Sequence, residues 1–226
     1  MLKIKLGGKD VEVPQRWEEV TFSRFRKFID LAKSFKTEEE LEEEFMEEEK
    51  DMKELHKTLA NLQSNSKMVA YWTGMTEDEV ALCDVDAVGE VIKDLAFITE
   101  AYVPMNLKSF KFKGEEYFMP NPELKKETFG TYIEAEQVEI NSQMLKRGKI
   151  DALTRQVAIL CKKEGEEAIN ESEIDKRVEL FEELDMATLW DVGFFLTKLE
   201  SLLITNFLTL ANQEETIKQK LLQKEQ

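Results

Sequence analysis

"KIKLGGKDVEVP", Lys3 to Pro14, and "FKFKGEEYFMP", Phe110 to Pro120, decide how this chain is read. Each alternates apolar and polar residues, passes a Gly-centred turn, resumes the alternation and stops at a proline. A period of two is the mark of a half-buried strand, and a glycine between two such runs reads as a hairpin. The same small hairpin is thus written twice, about half the chain apart. An isolated two-stranded hairpin is marginal in water. The two therefore pair into one four-stranded sheet, or each docks on the helix that follows it.

The likeness continues past the prolines. "QRWEEVTFSRFRKFI" follows Pro14 and "NPELKKETFGTYIEA" follows Pro120. Both carry Thr-Phe and then an aromatic residue three positions after that Phe: Thr21, Phe22, Phe25 and Thr128, Phe129, Tyr132. The threonines predict helix N-caps, because the hydroxyl accepts from a free first-turn amide. In the first copy Phe22, Phe25, Phe28, Ile29, Ala32 and Phe35 recur at helical spacing. In the second, Phe129, Tyr132, Ile133, Ile140 and Met144 do so less cleanly. Further on, each half holds a Val-Ala helix ending at a glycine, Gly74 or Gly165, suited to the left-handed residue beyond a helix. The first half then predicts a helix over 87–101, capped by Asp86 and stopped by Pro104. Its apolar stripe is Val88, Val91, Ile92, Leu95 and Ile98. The second predicts a helix carrying Ile174, Val178, Phe181 and Leu184, then a long apolar helix from about Ala187.

The expected fold is therefore α+β and mainly α, with two small β-hairpins each followed by helices, a degenerate internal duplication. Residues 1–106 form the first hairpin-plus-helices unit and 107–226 the second. An acidic insertion, 36–54, has no counterpart in the second half. It reads either as a solvated helix or loop, or as a docking site for a basic partner with Leu41, Phe45 and Met46 as apolar anchors. Trp17, between hairpin and helix, bridges the two or stands exposed as an interface anchor. Residues 189–211 are apolar on nearly every face, with Phe195, Leu199 and Leu203 expected to be buried. Any strip from Phe194 to Phe207 left uncovered by the chain itself would be a partner site.

Composition narrows the classes. Of 226 residues 42% are hydrophobic and 35% charged, enough for a core beneath a well-solvated surface, while nine Gly and four Pro argue against an all-β chain. With 31 basic and 47 acidic residues the net charge is −16, which disfavours nucleic acid and anionic membranes and favours a basic partner face. The apolar stretch Leu189 to Ala211 is interrupted by Asp191, Lys198 and Glu200, so no membrane span is expected. Cys83 and Cys161 read as buried free thiols in a reducing compartment.

The search for chemistry returns little. His56 is the single histidine and reads as a helix-surface residue. No phosphate loop or dinucleotide fingerprint occurs. Asp84 and Asp86, in "CDVDAVGEV", read as helix caps, since the segment lacks the alternating ligands of a calcium loop. No catalytic residue, metal site or cofactor is expected, and the chain is read as a non-enzyme.

"EVPQRWEEVTFSRFRKFIDL", Glu12 to Leu31, with its Pro14-to-Trp17 turn and its Glu18-Glu19-Val20-Thr21-Phe22 helix start, resembles the opening of small helical proteins of tailed bacteriophages. These are the tail assembly chaperones and related tail and baseplate morphogenesis proteins. "VAYWTGMTEDEV", Val69 to Val80, is similar to a Gly-capped helix segment of the same proteins. The resemblance lies in the first half of the chain, with an echo in the second, and rests on structural motifs. It implies a non-enzymatic morphogenesis protein of the host cytoplasm that binds other phage structural proteins, of the tail or neck, through basic or apolar faces. A structural virion component, such as a ring, adaptor or cargo subunit retained in the particle, is the alternative. A homo-oligomer is left open.

Overall fold

The two alternating segments fold as expected. In the computed structural model, which describes residues 1–44, 50–120, 129–145, 149–166, 170–198 and 201, β1 (Leu2–Leu6) pairs antiparallel with β2 (Lys9–Val13). β3 (Ser109–Phe112) pairs antiparallel with β4 (Glu115–Phe118). Both turns have two central residues with positive φ: Gly7 and Gly8 at 56° and 80°, Lys113 and Gly114 at 47° and 86°. That is the backbone whose twist matches a two-residue hairpin. The hairpins do not merge. The first stays two-stranded, while the second gains a short third strand, β5 (Lys162–Lys163), beside β4. Phe110 and Tyr117, opposite each other across β3 and β4, stack with centroids 5.3 Å apart and give that hairpin its buried face.

Helices make up most of the rest. They are α1 (Phe22–Ala32), α2 (Glu38–Glu44), α3 (Lys50–Thr73), α4 (Glu77–Ala81), α5 (Val85–Asp94), α6 (Phe129–Met144), α7 (Lys149–Leu160), α8 (Glu171–Phe181), and a helix over 186–198, here α9. The fold is α+β and mainly α. The order of elements repeats. After each hairpin comes a helix, starting at Phe22 in the first copy and described from Phe129 in the second, and later a helix with a buried Val-Ala pair, Val69-Ala70 or Val157-Ala158. Gly74 and Gly165 follow at φ 72° and 76°. Then comes a reciprocal cap. Thr76 and Glu79 each accept the other's backbone amide before α4, and Asn170 and Glu173 do the same before α8. One turn in, Val80 and Ile174 are both buried.

Contacts divide the chain into two compact units: Met1–Val103 with Val178–Ala187, and Pro104–Arg177 with the chain from Thr188 onward. The first is tied together at the start of α1. The amides of Phe22 and Ser23 donate to the carbonyls of Leu184 and Glu182, each at 2.9 Å, and Met186 N–H returns a bond to Val20 at 2.8 Å. Thr21 caps the next free amide, that of Arg24, as its sequence predicts. Arg26 reaches Glu182 at 2.8 Å. Around this tie lies an aromatic core. Trp17 meets Phe25 and Phe97 edge-on, and Phe28 packs on Trp72, which is wholly buried under the guanidinium of Arg24. Arg24 also donates to the Trp72 carbonyl at 2.6 Å.

Two details differ from the sequence expectation. The helix placed at 87–101 starts at Val85 and ends at Asp94, and Asp84, not Asp86, is its cap. Asp84 accepts from the amides of Asp86 and Ala87, because a cap must stand outside the helix with extended backbone. Cys83 is only half-buried, beside the first hairpin turn.

In the second unit α6 packs on α7 through small side chains, Ala135 and Ala152, and Gln156 donates to the Ala135 carbonyl. α9 contributes Leu189, Val192 and Leu196 to the core. The expectation that this helix is buried on every side holds over 186–192, where Trp190 alone is half-buried, and is corrected from Gly193 on: Leu196 stays buried, Phe195 is half-buried, and Phe194 is 43% exposed. Leu199 and Leu203 lie outside the described residues.

Two predictions follow from this geometry. A Cβ at Gly7 would stand 2.8 Å from Cys83 Sγ, whereas one at Gly8 meets nothing within 4 Å. Gly7→Ala and Gly8→Ala should each lose about 1–2 kcal/mol for the left-handed backbone, with a further loss at Gly7 alone. Denaturant titration should show Cys83→Ala restoring part of the Gly7→Ala loss and none of the Gly8→Ala loss; equal losses at both glycines would remove the contact. Separately, a fragment ending at residue 106 lacks the carbonyls that satisfy Phe22 and Ser23. Leaving two amides unpaired costs about 1–3 kcal/mol each. The fragment should melt without cooperativity, and joining residues 178–187 through a flexible linker should restore a sharp transition.

Candidate functional site

Cys161 is wholly buried at the end of α7, where burial pushes its thiol up to about 12 against a weaker opposing pull from Arg177, so it holds its proton at neutral pH. His56 is half-buried on α3. Among the described residues no group of three or more His, Cys, Asp or Glu side chains is placed to hold a metal ion. Among them, too, no helix is long and apolar enough to cross a membrane.

The residues singled out as partner anchors fall in different places. Trp17 is 8% exposed and packs edge-on against Phe25 of α1 and against Phe97. Leu41 is 2% exposed on the inner side of α2, where Glu42 pairs with Lys57 of α3 at 3.0 Å. Neither offers a surface in this fold. The glutamates around Leu41 are solvated, as a charged run requires, so its one apolar residue turns inward. Phe194 is the only one of the six shown to present a large apolar side chain to solvent. Phe45, Met46 and Phe207 lie outside the described residues.

A different surface does stand out. α6 buries Tyr132, Ala135 and Ser142, a stripe at helical spacing. Opposite that stripe it exposes Ile133 (51%), Ile140 (51%) and Met144 (78%), with Leu145 (65%) just beyond its end. Positions 133, 137, 140 and 144 lie one above another on a helix. The sequence assigned Ile133, Ile140 and Met144 to the inward face along with Tyr132. The structure keeps Tyr132 inward but turns the other three out, and Ala135 and Ser142 take the remaining inward positions. Glu134 and Glu136 stand on either side of the outer stripe. An apolar stripe rimmed by carboxylates fits an amphipathic helix whose apolar face is bordered by lysine or arginine.

α7, on which α6 packs, is tied down at its C-terminus. Arg177, 7% exposed in its side chain, donates to the carbonyls of Ala158 and Cys161 at the C-terminus of α7, at 3.3 and 3.0 Å. It also pairs with Glu166 at 2.6 Å and lies over the Tyr117 ring at 5.3 Å from its centroid. A buried cation is tolerated only when so partnered, and the negative end of a helix is a favourable place for it. Asp191 is the second such point. Its carboxylate, 4% exposed, accepts from Met105 N–H at 2.8 Å and Leu107 N–H at 2.9 Å, fixing the chain that leads into β3. The sequence reading took Asp191 only as an interruption of an apolar run. Its signal was a lone acid amid buried residues, which demands donors.

Compared with family models, with curated proteins and with solved structures, the chain matches none.

The Glu166–Arg177 pair makes stability depend on pH. Burial raises the Glu166 pKa, but the hydrogen bonds from Arg177 and the Lys163 amide outweigh it, and the group titrates below its ordinary value. A carboxyl depressed in the folded state stabilises the fold above its unfolded pKa, and that contribution is lost as pH falls toward the folded value. Thermal melts from about pH 7 down to about pH 3 should show Glu166→Gln less stable than the parent at the upper end and the two converging at the lower. A constant gap across that range would remove the pair as the cause.

Proposed function

We propose that this chain is a non-enzymatic morphogenesis protein of a tailed bacteriophage, acting in the host cytoplasm to hold tail or neck proteins before assembly. The observation that carries the binding role is the outward stripe of α6, Ile133, Ile140 and Met144, flanked by Glu134 and Glu136 on a chain of net charge −16. Contiguous apolar surface on so acidic a protein suits a client that is apolar in the contact and basic around it. The resemblance of Glu12–Leu31 and Val69–Val80 to tail assembly chaperones supplies the client class.

The test is co-expression with the tail and neck proteins of the same phage, each carrying an affinity tag. The parent should co-purify with one of them, and the complex should weaken as salt rises, because charge flanks the contact. Ile140→Asp should abolish co-purification while shifting the melting temperature little, since the side chain is half in solvent and surface changes of this kind usually cost under about 0.5 kcal/mol. Retention of every client by a folded Ile140→Asp variant would move the site off α6. Recovery of the chain from purified particles in stoichiometric amounts would make it a virion component instead.

A further inference from the structure

α3 carries a second apolar ridge, independent of the one on α6. Its C-terminal part is core, with Val69, Ala70 and Trp72 buried. Its first half is different. One side faces the fold, with Lys53, Lys57, Ala60 and Ser64 half-buried and α2 packed against it. The opposite side exposes Met52 (47%), Leu55 (59%), Leu59 (52%) and Leu62 (61%). Their spacing is three, four, three, which is the a/d seam of two packed helices. The inward residues of this half are charged, polar or small, so its large apolar residues lie on the side away from the fold and call for a partner of their own.

We infer that the second partner is another copy of this chain, its α3 lying antiparallel across the first so that Leu55 meets Leu59 of the other copy and Met52 meets Leu62. Three features favour this occupant. The seam is self-complementary: a two-fold axis between positions 55 and 59 maps it onto itself. Its flanks suit approach of a like-charged molecule. Thr58 to Ser66 contains no acidic or basic residue, and in an antiparallel pair this uncharged stretch of each copy lies against the stretch from Lys53 to Lys57 of the other, which holds two lysines and one glutamate. The acidic tract sets the direction. Residues 38–51 hold ten acidic residues and one lysine and lead into the N-terminus of α3. A parallel pair would bring two such tracts together, whereas an antiparallel pair sends them to opposite ends.

The seam covers only two heptads, too short for free helices to pair in water. Here α3 is already ordered by its own unit, so association does not have to form the helix. The resulting dimer is weak, with a Kd of roughly micromolar order.

Sedimentation equilibrium of the full chain tests this. The parent should show a monomer–dimer equilibrium. Leu59→Asp should raise the Kd about thirtyfold or more, the effect of losing a central contact, with an unchanged circular dichroism melt. A parent monomeric at every concentration gives the ridge to another partner and overturns the inference. So does a dimer indifferent to Leu59→Asp, which must form elsewhere. Unfolding of Leu59→Asp means the chain's own residues cover the ridge, and overturns it as well. For direction, Met52→Cys and Leu62→Cys chains, both with Cys83→Ser, are mixed and oxidised under conditions where the dimer is populated. A mixed disulfide between the two variants is expected; a Met52→Cys chain linked to itself would reject the antiparallel arrangement.

Discussion

The first turn of an α-helix brings amides that have no partner inside the helix, and in α1 their satisfaction organises the first unit. Thr21 caps the amide of Arg24. The amides of Phe22 and Ser23 are answered only by the carbonyls of Leu184 and Glu182, from a segment far away in sequence. Phe22 is wholly buried, so no water stands in for them. Ten residues of the second half are thereby built into the first unit, from Val178 to Ala187. A chain that looks like two tandem halves is interlocked at the level of its backbone. Tyr102 adds to the tie, donating its hydroxyl proton to the Ala187 carbonyl at 3.1 Å.

Helix C-termini pose the opposite problem, and both units meet it with arginine. Arg24 answers the Trp72 carbonyl in the last turn of α3 and lies 4.7 Å from the centroid of the Trp72 ring. Arg177 answers Ala158 and Cys161 at the end of α7 and lies over Tyr117. The planar guanidinium suits this double task, since its edge donates while its face rests on a ring. A lysine in either place would keep the charge but lose the stack. The two arginines occupy different elements, Arg24 on α1 and Arg177 on α8. The shared feature is therefore the physical solution and not an inherited position.

What was legible in the sequence was local. The hairpins could be read because strand alternation and turn glycines are short-range signals, and Thr21 and Gly74 because caps are fixed by neighbouring residues. The Asp84 cap was misplaced by two residues, since two aspartates compete in "CDVDA" and only backbone conformation separates them. The inward face of α6 was misread for a deeper reason. Hydrophobic periodicity assumes that the largest apolar residues point inward. On α6 the inward positions go to Tyr132, Ala135 and Ser142, and Ile133 and Ile140 are left outside. Leu41 shows the reverse, an apolar residue in an acidic run that looks like bait for a partner yet closes onto its own chain. The return of residues 178–187 to α1 had no local signal at all, because a carbonyl is the same in every residue.

Two helices, α3 and α6, thus carry apolar residues on the side turned away from the fold. Neither ridge is broad: each is one residue wide, and each is bordered differently. Beside the α6 stripe stand Glu134 and Glu136, which repel any neutral or acidic surface and admit a basic one. Beside the α3 ridge stand Thr58, Gln63 and Asn65 toward its C-terminal half, and Asp51 and Glu54 toward its N-terminal half. Away from these ridges a net charge of −16 disfavours contact between copies. In the readings proposed above, that acidity makes the two narrow apolar lines selective, the α6 stripe for a cationic helix and the α3 ridge for a second copy of this chain.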